Sequence, residues 1–185
     1  MTATTKRIPP LDPVQFTDEQ ADVAGGRDSA RSGLNIVRLL VQNPALYRSY
    51  FNFAMHLVAA SSLSLRDREL VILHACSFCG DTYDVAQHRS IAKKAGLNAA
   101  EIAAAINDGA GLADFERTLL TATEELIKGH RIADATYSAL AERYSNQQLL
   151  DLVFTVGNYS LMSMVTNSFD VRVESDNTES NWKPY

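Results

Sequence analysis

Cysteine is scarce. The chain of 185 residues has two, Cys76 and Cys79, far too few for a disulfide framework. There is no run of Lys or Arg, and 17 basic against 22 acidic residues leave a net charge of -5 at pH 7. The basic footprint that a phosphate backbone demands is missing, which excludes nucleic acid as a partner. The first thirteen residues lack the apolar core of a signal peptide, so the protein is expected in the cytoplasm. Strand-like alternation, low-complexity tracts and short-period repeats are also missing. The longest stretch without a charge, Leu152 to Phe169, carries Thr155, Gly157, Asn158, Ser160, Ser163, Thr166, Asn167 and Ser168. These are too many polar groups to satisfy in lipid, so the stretch reads as a buried helix and a membrane is not expected as a partner.

What remains is a chain with 46% hydrophobic residues, long enough for one domain at roughly 150 residues each and able to bury roughly 70% of its unfolded surface. Apolar residues recur at spacings of three and four, which predicts an all-α, compact helical bundle. Residues 1–33 hold three of the five prolines and the Gly25-Gly26 pair, and read as an arm with at most one short helix, Thr17 to Ala24. The helical domain is expected over 34–170, with 171–185 as a polar tail. Segments Leu34 to Gln42 and Pro44 to Ala60 are amphipathic, the second with proline in its first turn. Ser64 with Asp67 starts a helix to about Cys79. Gly80 ends it and Asp81 caps the next, Thr82 to Ala95. Asn98 with Glu101, Asp114, Asp134, and Ser145 with Gln148 begin the remaining helices, ending near Asn107, Gly129, Tyr144 and Phe169. The last helix is apolar around most of its circumference, which predicts an oligomer.

Two of these helices turn charges inward. At about 100° per residue, Leu65, Val71, Ile72, Leu73, Ala75, Cys76, Phe78 and Cys79 share one arc, which also encloses Arg68 and Glu69; Arg66, Asp67, His74 and Ser77 face away. On the next helix Val85, Ile91, Ala92 and Ala95 form the apolar side, and Asp84 and His88 lie in the middle of it, four apart and able to meet. Charges so placed need partners. Pattern alone allows either a structural polar network that clamps two helices or a general acid–base site. His56, His74 and His130 stand alone and read as structural or exposed.

The stretches RDRELVIL, GDTYDVAQH (Gly80 to His88) and RSIAKKAGLNAAEIAAAI resemble the carboxymuconolactone decarboxylase family, and NPALYRSYF and GNYSLMSMVTNSF extend the likeness weakly from Asn43 to Phe169. The resemblance implies an all-helical, cofactor-free protein that assembles as a homo-trimer or homo-hexamer and acts on a carboxylated lactone from aromatic catabolism. Where many members read Tyr-Glu-Trp, this chain has Tyr83, Asp84 and Val85, which would open the pocket and alter the substrate. A sister branch, the alkylhydroperoxidase-D-like (AhpD-like) thiol peroxidases, has a glutamate twelve residues before the first cysteine of Cys-x-x-Cys-x-x-x-His. Counting from Glu69 reaches Asp81, Asp84 and His88, so the frame is kept without its thiols. Cys76 and Cys79 come five residues too early and near a helix C-terminus, where thiolates are disfavoured. Packing is their expected role, with a redox role as the alternative. A zinc site from Cys76, Cys79 and His88 lacks a fourth ligand, so no metal is expected.

The first expectation is therefore a lyase, or a related isomerase or hydrolase, acting on a small enolisable carboxylate or lactone. His88 would be the proton donor, oriented by Asp84, with Glu69 relaying a proton or stabilising an enolate. Arg68 would hold the substrate carboxylate or pair with Glu69 across a subunit interface, and Tyr83 would line the pocket or pack in the core. The second is a non-enzymatic oligomer or ligand-binding module in which the same groups are a clamp. A cavity of about 300 Å³ or more opening onto His88 and Glu69 separates the two.

Overall fold

The computed structural model describes residues 7–174; residues 1–6 of the expected arm and 175–185 of the expected tail lie outside them. Among the described residues there are nine α-helices, two short 3-10 turns and no strand. The helices are α1 (Asp18–Ala24), α2 (Asn35–Leu40), α3 (Pro44–Ala59), α4 (Leu65–Phe78), α5 (Thr82–Lys94), α6 (Ala99–Ile106), α7 (Asp114–Gly129), α8 (Asp134–Ala141) and α9 (Asn146–Phe169).

The starts follow from side-chain chemistry. Ser64 Oγ accepts from Asp67 N (3.0 Å) and Asp81 Oδ1 from Asp84 N (3.0 Å). Asn98 with Glu101, and Ser145 with Gln148, form reciprocal capping boxes, each satisfying backbone donors that the first turn cannot. Gly80, at φ +70°, makes the left-handed turn between α4 and α5, which a side chain would oppose. At the end of α7 the left-handed residue is His130 (φ +56°) rather than Gly129.

Helix α4 is the axis of the bundle. Every residue from Arg68 to Cys76 is buried, with α5, α6, α7 and α9 packed around it. This corrects the helical plot, which turned His74 and Ser77 to solvent: α6 and α7 cover that side. His74 is buried, with Nδ1 2.8 Å from Ala105 O and Nε2 3.2 Å from Glu124 Oε1. Ser77 Oγ donates to Ile106 O at 2.6 Å. Arg66 reaches Glu101 on α6 (2.6 Å) and Glu116 on α7 (2.7 Å), tying three helices at their partly exposed rim.

Helix α9 has the length and composition to cross a membrane, but 56% of its apolar window is buried inside the fold. Leu149, Leu152 and Val156 pack with Val71, Leu119 and Leu140, as expected of a core helix. Its other face exposes Leu150, Val153, Phe154, Leu161 and Met164.

The compact fold begins earlier than Leu34. Phe16, Ala21 and Ala24 are buried in one cluster with Val37, Val41 and Tyr47, so the proline-rich arm lies against α2 and α3. Prolines mark the irregular backbone there correctly but carry no information about what it packs on. The first tail residues behave likewise. Val171 packs with Leu39 and Tyr83. The Glu174 carboxylate accepts from Asn35 N (2.6 Å), the Tyr83 hydroxyl (2.9 Å) and Gln87 Nε2 (2.7 Å).

Candidate acid–base site

Because the middle of α4 is buried all round, its two buried charged residues, Arg68 and Glu69, meet neighbouring helices instead of water. Glu69 is 1% exposed. Its Oε2 accepts from His88 Nδ1 at 2.7 Å, and its Oε1 lies 3.5 Å from Arg68 Nε. Arg68 in turn donates from Nη1 to Val58 O (2.5 Å) and Leu57 O (3.3 Å) near the end of α3. The carboxylate is thus doubly partnered, the condition on which a buried charge is tolerated. Arg68 is Glu69's charge partner within the same chain.

His88 is buried, and its ring meets the Tyr159 ring edge to face at 5.0 Å. With Nδ1–H committed to a carboxylate, Nε2 is the nitrogen left to address other groups. A cavity of about 140 Å³ opens between α2, α3, α5 and α9, and Tyr83, Asp84, Gln87 and His88 form its α5 wall. The remaining wall is mainly apolar, with Leu34, Val37, Phe51, Met55 and Met162. The cavity is about half the size set by the sequence criterion. Glu69 and Arg68 are not on its wall; Glu69 is reached through His88. It is nonetheless an open space against the histidine rather than a solid core. Arg31, which the sequence reading passed over as part of the arm, is on the wall.

Electrostatics differ between the two titratable groups. Burial pushes the Asp84 carboxyl up to about 7, the neighbouring Asp81 charge adds to this, and His88 only partly offsets it. Burial would lower His88, but the Glu69 charge and hydrogen bond, with help from Asp84, overcome it and hold the imidazole above its ordinary value. The wall therefore carries a histidine whose hold on its proton is strengthened, beside an acid near its midpoint at neutral pH, a pairing suited to proton transfer. Asp81 is 1% exposed and its Oδ2 has no hydrogen-bond partner.

The thiols are elsewhere. Cys76 and Cys79 are both free. Burial, then Asp84 and Asp81, push the Cys76 thiol well up, and burial raises Cys79 as well, so neither favours the reactive thiolate. Among the described residues the metal-capable donors that converge are Cys76, Asp81 and Asp84, within 4.8 Å of one another, rather than Cys76, Cys79 and His88.

Residues 44–126 match the carboxymuconolactone decarboxylase family. The chain has an AhpD-like fold. Its fold is similar to that of a peroxidase-related protein from Ralstonia eutropha JMP134 with an AhpD core (20% identity, TM-score 0.75, covering 92% of this chain and 93% of that one). It is also similar to a peroxidase-related protein from Silicibacter sp. TM1040 (14%, TM-score 0.75, covering all of both chains). A third is an Agrobacterium tumefaciens protein described as an AhpD candidate in antioxidant defence (18%, TM-score 0.66, 71% of this chain and 92% of that one). Comparison with curated proteins gives no match.

The Asp84 shift fixes a pH dependence. Its folded value, about 7, lies above the ordinary carboxylate value near 4, so the folded state holds the proton more tightly. Its contribution to stability is fully present below pH 4 and is lost as pH rises to 7. Asp84→Asn, which keeps shape and neutrality, should therefore gain on the native protein by a few kcal/mol across that window, at about 1.4 kcal/mol per unit. Urea denaturation of both proteins at intervals from pH 4 to 8 measures the gap; a constant gap contradicts the assignment.

Proposed function

We propose that the protein is a cofactor-free carbon–carbon lyase of the decarboxylase type, or a related isomerase or hydrolase, acting on a small enolisable carboxylic acid or lactone. One observation carries the reading. His88, fixed through Nδ1 by Glu69 at 2.7 Å, shares an apolar-walled cavity with Asp84, an acid near its midpoint at neutral pH. In decarboxylation the bond between the carboxylate and the α-carbon breaks, carbon dioxide departs, and its electron pair remains as an enolate. A proton from His88 Nε2 to the α-carbon completes the product, and the imidazole regains a proton from solvent with Asp84 beside it. Glu69 keeps the ring oriented and stabilises its charged form, Arg68 acts through Glu69, and Tyr83 shapes the wall. The apolar surroundings strengthen each of these interactions over its value in water.

Thiol peroxidase activity is the competing reading, because similar folds are described as peroxidase-related. The full burial of Cys76 and the raised values of both thiols speak against it. The clamp reading leaves the open cavity beside His88 without a purpose. Assembly into a trimer or hexamer, which would cover the apolar outer face of α9, and a cytoplasmic location are part of the proposal.

His88→Gln should keep the fold and cut turnover of a responsive keto acid or lactone by about 100-fold to 10,000-fold. A folded variant with undiminished turnover removes His88 from the mechanism. Replacing Cys76 and Cys79 together by Ala should lower stability by roughly 1 to 3 kcal/mol and leave turnover largely intact; a folded double variant without turnover returns the peroxidase reading. Light scattering should give a mass several times 20.3 kDa, and a purely monomeric solution would exclude the assembly.

A further inference from the structure

Arg31 is the group on the cavity wall whose charge does not depend on pH. It comes from the short turn Arg31–Gly33, whereas Asp84 and His88 come from α5, and all three line the same cavity. Its guanidinium is held in place by neutral groups. The carbon Cζ lies 4.5 Å from the centroid of the Phe51 ring, and burial raises the hydroxyl of Tyr47 while the nearby Arg31 charge partly offsets the rise. Gly25 leaves the guanidinium its space: a β-carbon there would stand 2.1 Å from Nη2. Among the described residues no carboxylate pairs with it. A cation stacked, oriented and without a counter-charge at an apolar cavity is arranged for an anion brought by a ligand.

The cavity supplies the other half of the ligand. Its volume is about 140 Å³, close to the roughly 150 Å³ of an apolar cavity that accommodates benzene. Apolar side chains and tyrosine rings form most of the wall, and its carboxyl and imidazole, Asp84 and His88, are assigned to proton transfer in the proposed reaction. Arg68, the other arginine near the site, is taken by Glu69 and by the carbonyls of Leu57 and Val58.

We propose that Arg31 is the carboxylate anchor of this cavity, and that the ligand is a monocarboxylate with an apolar body about the size of one six-membered ring. The inference deepens the lyase reading and rests on it in taking this cavity as the substrate site. The guanidinium forms paired N–H···O bonds with the carboxylate, and the apolar body fills the space toward His88. Anchoring in this way sets which carbon faces Nε2.

Calorimetric titration of the full chain with benzoate, and with benzamide as a neutral isostere, tests it. The native protein should bind benzoate at least about 10-fold more tightly than benzamide, a step expected of a charge-assisted pair. Arg31→Met, equal in reach and apolar, should lose that preference and leave benzamide binding unchanged. Arg31→Lys keeps the charge without the fork and should fall between; it also serves if the methionine variant melts. Equal benzoate binding by native protein and Arg31→Met, equal binding of the two probes by the native protein, or no benzoate binding at all would overturn the anchor. The two readings fail separately. If only the lyase reading is wrong, benzoate still discriminates between the proteins while no acid is turned over. If only the anchor is wrong, turnover persists with an unchanged KM in Arg31→Met.

Discussion

A carboxylate at the centre of a helical bundle is the constraint on which this structure turns. Glu69 lies on the helix that the others surround, and it is almost fully removed from water. Leaving such a charge unpaired costs about 3 to 5 kcal/mol, so the folded state requires both of its partners. His88 brings α5, and Arg68 reaches the carbonyls that close α3. One ion therefore specifies the mutual placement of three helices, and the same ion fixes the tautomer and direction of the histidine ring. The structural and acid–base readings, alternatives at the level of sequence, describe the same bonds seen from opposite sides of the imidazole.

Beside this satisfied cluster stands one that is not satisfied. Asp81 and Asp84 are close, buried and alike in charge, and the Oδ2 atom of Asp81 is without a partner. The cluster around Glu69 raises the proton affinity of His88 in spite of burial, while burial, with the Asp81 charge, raises that of Asp84 to about 7. Both groups on this wall are thus shifted by their surroundings, which is the arrangement acid–base chemistry calls for.

The helices and the inward charges were legible because both depend on local order. Ser64, Asp81, Asn98 and Ser145 announce helix starts through bonds made within three residues, and the placement of Glu69, Asp84 and His88 follows from 3.6-residue periodicity. What was not legible involves partners distant in sequence. His74 and Ser77 look exposed on a wheel that cannot include α6 and α7, and their bonds span about thirty residues or more. Arg31 falls in a stretch that prolines and glycines mark as irregular, and only the packing of Phe16, Ala21 and Ala24 against α2 and α3 brings it to the cavity. Glu174 fastens Tyr83 and Gln87 from the far end of the chain; no local pattern signals it.

Asp81 serves two masters with its two oxygens. Through Oδ1 it starts helix α5, and through its charge it raises the proton affinity of Asp84. The beginning of a helix and the acidity of a cavity are therefore written in a single residue. Serine, threonine or asparagine at this position retains the first role and abolishes the second, whereas glutamate carries the charge on a side chain too long to cap in the same way. A lineage drifting at this position would keep its architecture and change the pH at which Asp84 gives up its proton, so that relatives indistinguishable in fold would differ in the acidity of this cavity.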